Sequence, residues 1–317
     1  MSSGPGQSLS PPRAAPRVPM RWQTVQRQFD RRAARLREHD VLLREIEKRL
    51  ADRLDYMRIA PRRIIDVGCG AGHSRQLLTA RFSKALWVGA DFSLPMLRGG
   101  QAARRGFASW LDRLRGQRAD LVCGEASSLP FAESTFDLVF SNLMLHWHPA
   151  PHDVLFEWKR VLAVDGLLLF SCFGPDTLKE LREACAAALP HSEPMPFIDM
   201  HDFGDMMVAA GFATPVMDVE TLRFTYGSAD ELLAEARALG GNPRADRAGG
   251  LLAGARARDL RAALERRRDP GGRITLTFEV AYGHAWKPAP RTAGESVVSL
   301  EGLRAKLPRS REAGPGV

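Results

Sequence analysis

The chain lacks any uninterrupted run of about 18 apolar residues, the length a helix needs to cross a bilayer, so a membrane-spanning reading is set aside and a soluble, cytoplasmic protein is expected. Cysteine is scarce. The four thiols, Cys69, Cys123, Cys172 and Cys185, show no C-x-x-C spacing, which argues against a zinc knuckle and a disulfide framework. In or beside apolar runs such thiols act as small hydrophobes. No acidic residue precedes Asp30, yet Pro5, Pro11, Pro12, Pro16 and Pro19 forbid the amphipathic helix of a transit peptide. Residues 1–20 are therefore expected to be a disordered tail, as are residues 287–317, rich in Pro, Gly, Ser and Arg. The net charge of +8 favours an acidic partner. The arginines form no stripe interleaved with aromatics, so an acidic protein is expected rather than nucleic acid.

What is present is alternation. From residue 21 to about 60 the spacing is helical, with Phe29, Ala33 and Leu36 on one face. Leu42, Ile46, Leu50, Leu54 and Met57 follow after a cap at Asp40. Short apolar strands then alternate with amphipathic helices: Ile64–Val67, Ala85–Ala90, Ala119–Gly124, Phe136–Ser141 and Gly166–Phe170, with a helix over Asp153–Leu162. This order predicts an α/β fold, a doubly wound and mostly parallel sheet. Asp202 is expected to cap a helix over Phe203–Ala210. Later, Leu222, Phe224 and Tyr226, and then Ile274, Leu276, Phe278 and Val280, alternate with other residues as antiparallel strands do. Between them, a capping box from Ser228 to Glu231 and an Arg/Ala-rich stretch near Arg256–Arg268 predict helices. The expected organisation is one domain over 21–286: N-terminal lid helices over 21–60, a core over 61–222, a helical insertion over 223–272 and a last strand over 273–286.

The segment Asp66-Val67-Gly68-Cys69-Gly70-Ala71-Gly72 follows the first strand and opens a helix. Glycines there let the backbone turn tightly and approach a ligand, and such sheets bind ligands at the carboxyl ends of their strands. A dinucleotide fingerprint counted from Gly68 needs glycine at position 73, where this chain has His73. A pyrophosphate would also face Asp66, like charge against like. A cationic ligand suits the loop better, and S-adenosylmethionine combines an ammonium, a sulfonium and a ribose diol without phosphate. Four successive strands end in polar residues. Asp66 suits the amino-acid end, Asp91 a ribose diol and Glu125 the adenine edge, with Asn142 closing the fourth strand. Cys69, inside the loop, is expected to be a packing residue.

On these residues, with Gly124-Glu125-Ala126-Ser127-Ser128-Leu129-Pro130-Phe131 and Phe136-Asp137-Leu138-Val139, the chain resembles the class I S-adenosylmethionine-dependent methyltransferases. It is similar in particular to the malonyl-[acyl-carrier protein] O-methyltransferases of biotin synthesis. The stretches that carry this are Phe29-Asp30-Arg31-Arg32-Ala33-Ala34, Ser141-Asn142-Leu143, Trp147, Phe173-Gly174-Pro175-Asp176-Thr177-Leu178, Leu239-Gly240-Gly241-Asn242 and Leu276-Thr277-Phe278. The resemblance implies a seven-stranded sheet, S-adenosylmethionine as cofactor, and an acyl-carrier protein bearing a malonyl group as partner. The same stretches resemble a complex I assembly factor that is similar to an arginine hydroxylase, so a hydroxylase-like enzyme, a non-enzymatic assembly protein and a methyltransferase for another small acceptor stay open.

Methyl transfer to a carboxylate requires alignment rather than a base, because the acceptor is ionised near neutral pH. It does require a cationic clamp, for which Arg21, Arg31 and Arg32 lie in the lid. His146 and Trp147, after Asn142, are the expected substrate contacts. With His148, His152 and Asp153 they mimic a metal cluster, but Pro149 and Pro151 make its geometry awkward and no metal is expected. Because carrier proteins of this kind are acidic, the insertion's arginines, Arg244, Arg247, Arg256, Arg258, Arg261 and Arg266–Arg268, are expected to dock one beside the pocket mouth.

Overall fold

The computed structural model describes residues 20–34, 40–102, 119–188, 195–242, 244 and 254–290. The expected tails outside 20–290, Leu36 and Arg247 lie outside them. Seven strands form one sheet in the order β3-β2-β1-β4-β5-β7-β6. They are β1 Arg63–Val67, β2 Leu86–Asp91, β3 Ala119–Cys123, β4 Phe136–Ser141, β5 Leu162–Phe173, β6 Ala213–Tyr226 and β7 Ile274–Trp286. β1 through β5 pair in parallel, and β7 runs antiparallel to both β5 and β6.

The described helices are α1 Trp22–Arg32, α2 Val41–Asp52, α3 Ser74–Arg81, α4 Leu94–Ala102, α5 Pro151–Val161, α6 Lys179–Ala188, α7 Met200–Ala209, α8 Ala229–Ala238 and α9 Ala255–Glu265. Neighbouring residues on a strand face opposite sides, and this sorts the core into two layers. Ile64, Leu138, Leu167, Leu169 and Phe278 pack with Leu42, Ile46 and Leu50 of α2. Ile65, Val139, Leu168 and Phe170 pack with Trp158 of α5 and Phe203 of α7. Pro151 opens α5, where a missing N–H costs nothing, and Lys159 and Arg160 close it where cations suit the helix dipole.

Several boundaries differ from the sequence pattern. β5 begins at Leu162, directly where α5 ends, so the helix stops one residue short of its expected end and the strand starts earlier than Gly166. α7 is capped by Asp199, whose carboxylate accepts from the His201 N–H at 2.8 Å, and Asp202 lies in its first turn. Both aspartates precede an apolar run, and Asp199 has the extended backbone a cap needs. Asp40 precedes α2 without capping it, because its carboxylate is drawn to Arg44 at 2.7 Å. β6 continues to Tyr226, so α8 and α9 occupy a connection that starts after residue 223. Lys287, expected in a tail, is 8% exposed, and its ammonium donates to Leu162 O at 2.7 Å. Among the described residues no helix is long and apolar enough to cross a membrane.

Candidate active site

β1 lies between β2 and β4, so the connections leaving β1 and β4 diverge and open a crevice at the strands' carboxyl ends. There a cleft of about 1220 Å³, counted with its open mouth, is lined from five strand ends below and from α1, α2 and the end of α8 above. Its floor is the glycine loop. Gly68, Gly70 and Gly72 have φ of +78°, +53° and +71°, a region costly for residues with a Cβ. At Gly68 a Cβ would also stand 2.4 Å from Met144 Cγ. The loop is stitched to β2: the Gly68 N–H donates to Ala90 O at 2.8 Å and the Gly70 N–H to Asp91 Oδ2 at 2.9 Å. Gly72 closes the turn through Cys69 O at 2.7 Å and is not among the lining residues. Cys69 is buried in the cleft wall, outside any disulfide.

Asp91 also accepts from the Ser93 N–H at 2.8 Å. Burial raises its carboxyl to about 6, against the lowering effect of those two N–H donors. Asp66 is buried and accepts from the Ser74 hydroxyl at the start of α3. Burial lifts it to about 7, and the Asp91 charge adds to the rise. Beside it stands Glu47 of α2, a lining residue that the sequence reading missed. Burial, with the Asp66 charge next, raises Glu47 to about 8. The clue was a carboxylate one residue after Ile46 and four before Ala51, both buried, on a helix whose solvent face had room for it.

Glu125 lines the far wall. Burial works to raise its pKa, but hydrogen bonds from His148 and Ser127 outweigh it and hold the group near 2. The His148 contact is 2.9 Å. Because the other ring nitrogen of His148 accepts from the Ala150 N–H at 3.1 Å, the proton sits on the nitrogen facing Glu125. Asn142 lines the cleft and ties three elements together, donating to Leu43 O at 3.1 Å and accepting from Ser171 Oγ at 2.7 Å.

The roof is aromatic. Phe29 of α1 meets Phe92 at 5.8 Å and stands edge-on to Trp147 at 5.4 Å. Trp147 lies over Gly240, where a Cβ would be 1.9 Å from its ring. His146, expected to touch substrate, does not line the cleft and is 1% exposed. Its ring packs on Trp147, Phe173 and Phe197, and Nδ1 accepts from the Phe173 N–H at 3.3 Å. Burial drops its pKa to about 3, so it is neutral. The turn over Leu145–Trp147 sends the two neighbouring rings in different directions, which sequence adjacency could not reveal.

Residues 65–170 match the family model of a methyltransferase domain. The malonyl-[acyl-carrier protein] O-methyltransferase of Laribacter hongkongensis is 44% identical over 268 residues, covering 84% of this chain and 90% of the relative. That of Methylovorus sp. is 40% identical over 272 residues, covering 85% and 90%. The chain belongs to the malonyl-[acyl-carrier protein] O-methyltransferase family. It is an S-adenosylmethionine-dependent methyltransferase. Its fold is that of a candidate methyltransferase of Bacillus halodurans, with a TM-score of 0.54 at 16% identity over 76% of this chain and 100% of that one. The YcgJ protein of Bacillus subtilis gives 0.51 at 18%, over 76% and 98%. The cleft fits the cofactor of this family. Paired buried carboxylates at one end match an ammonium, Asp91 can accept from a diol, and Val67, Phe92, Met96 and Ala126 offer apolar contact to a purine.

Proposed function

We propose that this methyltransferase esterifies the free carboxylate of a malonyl group carried on acyl-carrier protein; its relatives are named malonyl-[acyl-carrier protein] O-methyltransferases. The observation that carries this is sequence identity of 44% over 268 residues, 90% of such a relative, well beyond the residues 65–170 that match the methyltransferase domain. Asp66 and Glu47 hold the ammonium of the cofactor, Asp91 the ribose hydroxyls and Glu125 the adenine edge. Gly68, Gly70 and Gly72 shape the loop beneath, and Asn142 fixes the rim. Bound there, S-adenosylmethionine would supply an electrophilic methyl group for a carboxylate oxygen, with its sulfur as the leaving thioether.

The protein's own tasks follow from that. An ionised acceptor needs no proton removed, which agrees with a neutral, buried His146 that braces Trp147 instead of acting as a base. Trp147, Phe29 and Trp22 exclude water and align the acceptor. For the carrier, the described part of the insertion offers a basic face, though a partly neutralised one. Arg261 pairs with Asp230, Arg267 with Glu183 and Arg268 with Glu265. Arg256, Arg258 and Arg266 are exposed and make no ion pair among the described residues, so they are the docking charges. The decisive experiment is a methyl-release assay with malonyl-carrier protein, its methyl ester and unloaded carrier. Turnover confined to the free acid is expected, and turnover of none of the three would overturn the reading. Restoration of growth to a biotin-requiring strain lacking this activity is the cellular counterpart.

A further inference from the structure

Among the described residues, the cleft is lined by four carboxylates, Glu47, Asp66, Asp91 and Glu125, and by no lysine or arginine. The cofactor's sulfonium and ammonium offset that charge, but a directional donor for an anionic acceptor has to come from just outside the lining. One layer out, at the seam between α1 and the turn after α8, lies the guanidinium of Arg32. It stacks over the Phe29 ring at 5.3 Å. Its Nη2 donates to two neutral oxygens, Gln28 Oε1 at 3.3 Å and the Gly240 carbonyl. Its Nη1 is buried and finds no hydrogen-bond partner among the described residues. Burial lowers its pKa to about 10, which still leaves it charged at neutral pH.

A half-buried guanidinium with a buried, unbonded nitrogen and no counter-anion is costly, and no carboxylate among the described residues pairs with it. The other two lid arginines, Arg21 and Arg31, are exposed. We infer that Arg32 binds the acceptor's free carboxylate at this seam, its guanidinium holding one oxygen and leaving the other for the methyl group. The inference rests on the proposed carboxylate acceptor and names the residue that selects it. A planar donor fork suits this task better than an ammonium. It also gives the product a reason to leave, since a methyl ester carries no charge for Arg32 to hold.

The test compares wild type, Arg32→Gln and Arg32→Lys by calorimetry on protein saturated with S-adenosylhomocysteine. The titrants are a small malonyl thioester, its methyl ester and malonate ion. Wild type is expected to prefer the acid over the ester by about 10- to 100-fold, the range of a charge-assisted hydrogen bond. Arg32→Gln should abolish that preference and Arg32→Lys retain part of it, with S-adenosylhomocysteine affinity unchanged within about twofold in both. If Arg32→Gln fails to fold, Arg32→Lys and the wild-type acid/ester ratio still decide. Equal loss of cofactor affinity would assign Arg32 to the cofactor's own carboxylate and overturn the inference, as would an undiminished acid preference in Arg32→Gln. Wild type that turns over no malonyl thioester but binds malonate through Arg32 would overturn the substrate reading and leave this inference standing. Wild type that binds no carboxylate at all would overturn both.

Discussion

In the floor of the cleft, polar groups are held by partners at the ends of neighbouring strands: Asp91 by Gly70 and Ser93, and Asp66 by Ser74. In the roof, Phe29, Trp147 and Gly240 come from three distant segments and meet through ring packing and one close backbone approach. The floor is fixed by hydrogen bonds that a strand end and a glycine loop provide locally. The roof depends on long-range packing that has to form before any of its members has a role. The difference predicts that floor damage removes cofactor binding together with stability, whereas roof damage removes turnover and leaves the fold.

The largest effect is expected from Asp91→Ala. It strands the Gly70 and Ser93 N–H groups and deletes the ribose acceptor. Each lost charge-assisted hydrogen bond is worth about 1.5–3 kcal/mol, so S-adenosylmethionine affinity should fall by more than ~10²-fold and the melting temperature should drop with it. Calorimetry showing unaltered affinity would mean that Asp91 only braces the loop. Next comes Gly240→Ala. The new methyl group would meet the Trp147 ring and displace the roof, and small misplacements cost up to ~10²-fold in rate. Here kcat/KM should fall while cofactor affinity is kept. A parallel loss of affinity would show that roof and floor are one unit.

A smaller effect is expected from pH. Glu47 and Asp66 have pKa values raised to about 8 and about 7 in the fold, chiefly by burial. The folded state therefore binds protons that the unfolded chain has already released above about pH 4. The contribution of these two groups to the stability of the ligand-free protein should be greatest below about pH 4 and be lost as pH rises through 8, while the lowered pKa values of His146 and Glu125 act the opposite way on the acid side. Glu47→Gln should flatten that fall, and melting curves from pH 5 to 9 that match wild type would refute the assignment. The smallest effect belongs to the surface. Reversing Arg256, Arg258 and Arg266 to Glu should raise the apparent KM for malonyl-carrier protein by only a few fold, in a salt-dependent way, because exposed pairs are each worth about 0–1 kcal/mol. A small malonyl thioester should be unaffected, and equal losses on both substrates would remove the docking face from the proposal.

Local sequence pattern was enough for a mostly parallel sheet, the glycine loop with its turn and a polar residue at or just after the end of each of the first four strands, whereas the order of the strands came from the fold. Apolar periodicity and backbone preference are local properties, and they fixed Asp66, Asp91, Glu125 and Asn142 at one end of the sheet before any contact was known. The sequence also named three lid arginines but could not choose among them. That choice depends on which side of α1 faces Phe29's neighbours, and only packing against the turn at Gly240 turned Arg32 inward. The same holds for His146 and Trp147, adjacent in sequence and separated by one turn of backbone into core and cleft. It holds for Glu47 as well, whose burial reflects the docking of α2 over the β1 end rather than any feature of its own segment. Tertiary structure decided these cases because burial and orientation are set by what arrives from distant parts of the chain, and those contacts decide which charged groups lose their water.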